Sequence, residues 1–276
     1  MRNDIINKLS TYARDNEAID SIFCLKNENY DSLIKIYTIV NEVIIGKLEE
    51  ELRDLFDDVI LVNRFKDEFV FDKSKYPFTS ISIYTKDNIK ITESIIASDN
   101  AQDFIMTLPK DIEFIYNKPG FERLQSNENF SYQRPSEYEV TNNIRNFFAN
   151  AIEVSLYVDQ KDEIAASIKM DQLRLNLLNM IDFYIKEKYS YQMDKGADGQ
   201  NLKSTLEIDI RQDFLLTYHY EDFMDIYNSL FKACVLFRKL AMGICQSLSY
   251  DYPREIDVET MKLLRSNYKK IESFLS

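Results

Sequence analysis

Few side chains in this sequence combine reactive chemistry with a telling spacing. The single histidine, His219, stands between Tyr218 and Tyr220. No serine, cysteine or metal-binding residue lies at a distance that would make it a base or a ligand, so it reads as a packed or surface residue. Cys24, Cys234 and Cys245 are odd in number, sit in apolar runs and lack the paired spacing of a zinc site or disulfide framework, which makes them reduced core residues. The carboxylates are more suggestive. Glu221 and Asp222 open an apolar-periodic segment, where they could meet cationic groups of a ligand or stabilise a helix N-terminus through its dipole. Glu93 lies in a β-rich run. Strand residues alternate between faces, so Glu93 projects with Ile91 and Ile95, while Lys90, Thr92 and Ser94 share the other face.

The elements that must position these groups follow from periodicity. Ile5, Ile6, Leu9, Tyr12 and Ala13 recur at helical spacing, and Ile19, Ser21, Phe23 and Leu25 alternate as in a strand. Residues 33–40 are β-rich, whereas Ile45, Leu48, Leu52 and Leu55 mark an amphipathic helix. Short strands return at 59–62, 80–85 and 89–96, and the polar turn Lys86-Asp87-Asn88 makes the last two an antiparallel hairpin. The polar run 125–136, with Pro135, ends this α+β part with its mixed sheet. Beyond it the pattern predicts helices near 136–158, 163–189, 201–216, 221–249 and 256–274, with breaks at Gly196, Gly199 and Pro253. The expected domains are 1–128 and an all-helical 135–276, with a cleft between them.

Composition bounds the partners. The 276 residues are 45% hydrophobic, enough for a sizeable core in one large or two ordinary domains. A net charge of −12 repels phosphate backbones and anionic bilayers, so nucleic acid and membrane partners are not expected, while cationic ones are favoured. The same charge also serves solubility. The start MRNDIINKLS has no signal-peptide apolar core, and no apolar run approaches the roughly 18 residues of a membrane span. A cytoplasmic location is the expectation.

Several spaced segments carry a family likeness. Ser229-Leu230-Phe231, Leu236-Phe237-Arg238, Leu248 and Tyr250-Asp251-Tyr252-Pro253 form an apolar pair, an LFR triplet and a Y-x-Y-P ending. Upstream lie the segment Leu177-Leu178-Asn179-Met180-Ile181, then Arg134-Pro135-Ser136 with Glu139 and Phe147-Phe148, and the turn Asn117-Lys118-Pro119-Gly120. In aggregate these resemble the aminoglycoside 6-adenylyltransferases, whose activity is transfer of AMP from ATP to a hydroxyl of streptomycin-like antibiotics. The likeness implies a nucleotidyltransferase-like domain at 1–128 and a helical substrate-binding-like domain at 135–276.

The resemblance also says where the chemistry should sit. Nucleotidyl transfer needs a backbone-rich loop around the triphosphate and Mg²⁺ ions held by carboxylates. The family places a Gly-Ser after the first strand, an Asp-x-Asp on the next and a third Asp on a neighbouring strand. Here Lys26 and Asn27 occupy the Gly-Ser place, Leu33 and Lys35 the two Asp places and Thr92 the third. A rival register uses Asn29-Tyr30-Asp31 and keeps one carboxylate. Glu93 is adjacent to the third place and reaches it only through a bulge. Lys203 alone remains of a Gly-Lys and second-lysine pattern, as a phosphate contact or an exposed helix-start residue. Glu221 and Asp222 are the candidates for binding an aminoglycoside-like cation.

Three functional readings follow from the resemblance. The first is a family member impaired or silent in AMP transfer that retains binding of a nucleotide or a cationic small molecule, with no cofactor or metal expected. The second is an active enzyme using ATP and Mg²⁺ through shifted ligands such as Glu28, Asp31 and Glu93. The third is a non-catalytic module for a protein partner.

Overall fold

The computed structural model describes residues 2–26, 31–41, 45–56, 58–65, 80–109, 112–122, 124–218 and 222–275, with backbone alone at 45–49 and 272–275. The chain divides into two compact units, Met1–Ser131 and Tyr132–Ser276. Together they make an α+β protein in which a mixed sheet with helices precedes an all-helical region.

Among its described residues the first unit has six strands: β1 (Ile19–Leu25), β2 (Leu33–Val40), β3 (Val59–Phe65), β4 (Ser80–Thr85), β5 (Lys90–Ala97) and β6 (Ile112–Asn117). Their order is β3-β4-β5-β2-β1-β6, antiparallel throughout except for the central parallel pair β2–β5. The sheet has an apolar layer on each face. Ile5, Leu9 and Ala13 fall one helical step apart on α1 (Arg2–Asp15), and they pack with Leu52 and Phe56, at the end of α2 (Ile45–Leu55), onto Ile22, Ile36 and Ile91. The short α3 (Ala101–Met106) covers the opposite face with Ala101 and Ile105 against Phe23, Tyr37 and Ile96. Phe23 and Tyr37 stack at 5.0 Å across the β1–β2 pair, and Phe104 closes on Tyr37 at 5.5 Å.

Sequence periodicity misses β6 and α3. It also joins into one helix what are two, α6 (Leu202–Thr205) and α7 (Ile208–Leu215). Leu206 and Glu207 between them are extended, and Glu207 is held by Lys188 at 2.7 Å and by the Tyr184 hydroxyl at 2.8 Å. Those tertiary bonds break a pattern that local apolar spacing would continue.

Among the described residues of the second unit there are also four long helices: α4 (Glu137–Asp159), α5 (Glu163–Lys188), α8 (Phe223–Leu248) and α9 (Arg254–Leu275). Ser136 and Glu139 form a capping box at the start of α4, and Asp162 caps α5 through the Ala165 amide. Phe147, Phe148 and Phe237 cluster in the core. The buried hydroxyls of Ser155 and Tyr227 satisfy each other at 2.8 Å, and Asn267 also donates to Ser155. Cys24, Cys234 and Cys245 are all free and buried. Among the described residues no helix is long and apolar enough to cross a membrane.

Candidate functional site

The candidate site lies where β1 ends and β2 and β5 begin. Lys26 follows β1 and is exposed, as is Asp31 in the turn before β2. Asn27, Glu28, Asn29 and Tyr30 lie outside the described residues, so the rival metal register rests there on Asp31 alone. The parallel ladder sets Leu33 opposite Lys90 and Lys35 opposite Thr92. Leu33 is 40% exposed, and the Lys35 ammonium lies 5.1 Å from the centre of the Tyr37 ring.

The antiparallel β4–β5 ladder extends this surface. Ser82 and Thr92 share a hydrogen bond of 3.0 Å between hydroxyls, as Ser80 and Ser94 do at 3.1 Å. The Lys90 ammonium sits 5.8 Å from the Tyr84 ring centre. Strand alternation puts Lys35, Lys90, Thr92, Ser82, Ser80 and Ser94 on one face. The two ammonium groups offer positive charge to anionic oxygens and repel a divalent cation, while Ser80, Ser82 and Ser94 are buried with their hydroxyls paired along the ladder.

Glu93 points the other way, into the layer beneath α1 and α2. It is 1% exposed and accepts a hydrogen bond from the Thr38 hydroxyl, while its Oε2 has no partner among the described residues. Burial pushes its carboxyl up to about 7. No bulge interrupts the β2–β5 register at this point, so Glu93 does not come round to the Lys35 face. Leu33, Lys35 and Thr92, at the three places that the resemblance assigns to carboxylates, therefore do not fit a Mg²⁺ cage: they supply an alkyl chain, an ammonium and a hydroxyl. Among the described residues no three or more His, Cys, Asp or Glu gather as a metal site.

One buried carboxylate escapes a sequence reading. Asp20 accepts hydrogen bonds from Asn41 at 2.8 Å and from Ser98, and Lys118 lies 3.5 Å away. It thereby ties the ends of β2, β5 and β6, at the opposite end of these strands from Lys35. The available signal was a charged residue inside the otherwise buried run of β1.

In the helical unit Lys203 is exposed on α6, with its carbonyl accepting from Arg211 at 3.1 Å. Asp222 is the N-cap of α8 and accepts from the Asp225 amide at 2.9 Å. Glu221 and His219 lie outside the described residues. The spaced motifs turn out to bind one another. Arg238 Nε lies 2.7 Å and 2.9 Å from the two carboxylate oxygens of buried Asp257, which also accepts from the Tyr252 hydroxyl at 3.0 Å. Arg134 donates to the Leu248 carbonyl at 3.0 Å, and the Tyr250 hydroxyl donates to the Pro135 carbonyl at 2.9 Å. Thus the LFR triplet, the Y-x-Y-P ending and the Arg-Pro-Ser segment build the helical scaffold.

A mixed sheet with a central parallel pair, followed by an all-helical region, is a nucleotidyltransferase-like fold. The streptomycin adenylyltransferase family matches residues 36–266, and the chain belongs to that family. It is similar to an aminoglycoside 6-adenylyltransferase of Bacillus subtilis (strain 168), 23% identical over 222 residues that span 78% of this chain and 77% of the relative. A second aminoglycoside 6-adenylyltransferase, of Campylobacter jejuni, is 19% identical over 213 residues, 74% of this chain and 72% of its own length. In fold, the chain resembles the crystal structure of an aminoglycoside 6-adenyltransferase from Bacillus subtilis with a TM-score of 0.50 at 20% identity, covering 97% of this chain and 98% of the other.

Proposed function

We propose that this chain keeps the family scaffold but is impaired or silent in moving AMP from ATP to streptomycin-like aminoglycosides, and that it retains a role in binding a nucleotide or a cationic small molecule. The observation that supports this reading is the β2–β5 register, which sets Lys35 opposite Thr92; the family resemblance assigns carboxylates of the transfer chemistry to these two places. Charge spreading over phosphate oxygens is neutralised in such reactions mainly by metal ions and their carboxylate ligands. An ammonium at that place adds a positive charge that repels the metal itself. The shifted-ligand alternative depends on Glu93, and its burial on the far face speaks against it. In this reading residues 1–128 act as the nucleotidyltransferase-like part and 135–276 as the substrate-binding-like part of a cytoplasmic protein.

The test is Mg²⁺-dependent release of pyrophosphate from ATP with streptomycin present. The expected rate equals that of a matched inactive control. Robust turnover that disappears in Asp31→Asn or Glu93→Gln would establish the shifted-ligand reading instead.

A further inference from the structure

The helical unit contains an open cavity of about 420 Å³ between α5, the start of α7 and the second half of α8. Its size falls within the range of small-molecule sites. Ile210, Leu240 and Ile244 give it an apolar lining, joined by the ring of Tyr184. Gly243 lies well inside the 26-residue helix α8, where glycine weakens a helix relative to alanine. Packing does not demand it, because a Cβ added there would meet nothing within 4 Å. Its missing side chain leaves the cavity open.

Charge in the cavity is unevenly matched. Lys188 pairs with Glu207 at 2.7 Å, and Lys239 pairs with Asp209 at 3.3 Å. The third carboxylate, Glu187, forms no ion pair among the described residues. It accepts hydrogen bonds from the hydroxyls of Ser247 and Tyr191, which hold it below the usual carboxylate range and keep it ionised, with a lesser contribution from Arg134. Each carboxylate oxygen retains a second lone pair for a further donor.

We propose that this cavity binds a small organic amine, with its apolar body against Ile244 and Tyr184 and its ammonium on Glu187. One carboxylate without an ion pair, above an apolar lining, selects a single cation joined to a hydrocarbon. A polycationic sugar would leave most of its charges unpaired. The site lies wholly within the helical unit and does not rest on the fate of the transfer chemistry.

The experiment is calorimetric titration of the full chain with 2-phenylethylamine, and with 2-phenylethanol as its neutral counterpart. The amine should bind at least about tenfold more tightly than the alcohol, and Glu187→Gln should abolish that difference. Gly243→Leu fills the cavity and should remove binding of both probes. Gly243→Ala, which suits the helix, should weaken binding while raising the thermal midpoint, so the result stands even if the leucine variant does not fold. Equal affinity for the two probes, no binding of either, or unchanged binding in Gly243→Ala would overturn the proposal. Competitive displacement of the amine by streptomycin would do so too, by placing the cavity within an aminoglycoside site.

Discussion

The Glu93 carboxyl accepts a hydrogen bond from the Thr38 hydroxyl across the parallel β2–β5 pair, inside the apolar layer beneath α1 and α2. Its other oxygen is buried without a partner among the described residues, and burial raises the pKa from the ordinary 4.5 to about 7. A group whose folded pKa lies above its unfolded value stabilises fully below the unfolded pKa and loses that contribution as pH rises through the folded one. Stability should therefore fall between about pH 4.5 and pH 7 and level off above, with a slope of at most about 1.4 kcal/mol per pH unit from this group. Glu93→Gln should flatten that segment. Urea titrations of both proteins across this range check it, and an identical pH profile would show that Glu93 ionises freely.

Arg238, Tyr252 and Asp257 join the LFR and Y-x-Y-P motifs, so their loss should appear in folding. Arg238→Met leaves a buried carboxylate unpaired and should cost about 3 kcal/mol, the lower end for a broken buried pair because the guanidinium is partly exposed. Tyr252→Phe removes one hydrogen bond and should cost about 1 kcal/mol. Because both residues meet the same carboxylate, the double variant should depart from additivity. Chemical denaturation of the four proteins measures this coupling, and strict additivity would deny it.

Asp222 was open to two readings, cation binding or helix capping, and its side chain accepts from the Asp225 amide. Asp222→Ala should cost about 1 kcal/mol of stability, and Asp222→Ser should restore most of it because serine also caps. Titration with streptomycin decides the rest. A serine variant as stable as the parent but deficient in aminoglycoside binding would show that the carboxylate also contacts ligand.

Much of the architecture was legible because it follows local periodicity. The alternation of β1, the β-rich run of β2 and the turn at Lys86-Asp87-Asn88 mark strands without tertiary information, and the four long helices carry strong apolar spacing. β6 was not legible, since as an edge strand its side chains are only partly buried and show no clear alternation. The break at Leu206 was hidden because Glu207 is held by residues of α5, distant in sequence. At the candidate site, strand alternation was enough to separate Glu93 from Thr92. The hydroxyl ladder from Ser80 and Ser82 to Ser94 and Thr92 required the pairing register. Asp257 stayed hidden because its partners, Arg238 and Tyr252, belong to segments that periodicity alone does not bring together.

The β2–β5 register makes a reconstruction experiment possible. Replacing Leu33, Lys35 and Thr92 together by aspartate places carboxylates at alternate positions of β2 and directly across from Lys35 on β5. Neighbouring strands lie about 4.8 Å apart, so carboxylates on one face can converge on a shared cation. The same change removes the Lys35 ammonium, which in the parent repels a metal at that place. The triple variant should be less stable than the parent without metal, because like charges then face one another, and Mg²⁺ should recover part of the loss by binding the native state. AMP transfer should remain at background, since Lys26 still stands where the family resemblance puts the glycine of the phosphate loop. Thermal midpoints with and without Mg²⁺ test the first expectation, and pyrophosphate release tests the second. A Mg²⁺-dependent rise in the triple variant that is absent from the parent would support the register argument. The same rise in the parent would show that metal ligands already exist there and that the impaired-site reading is wrong.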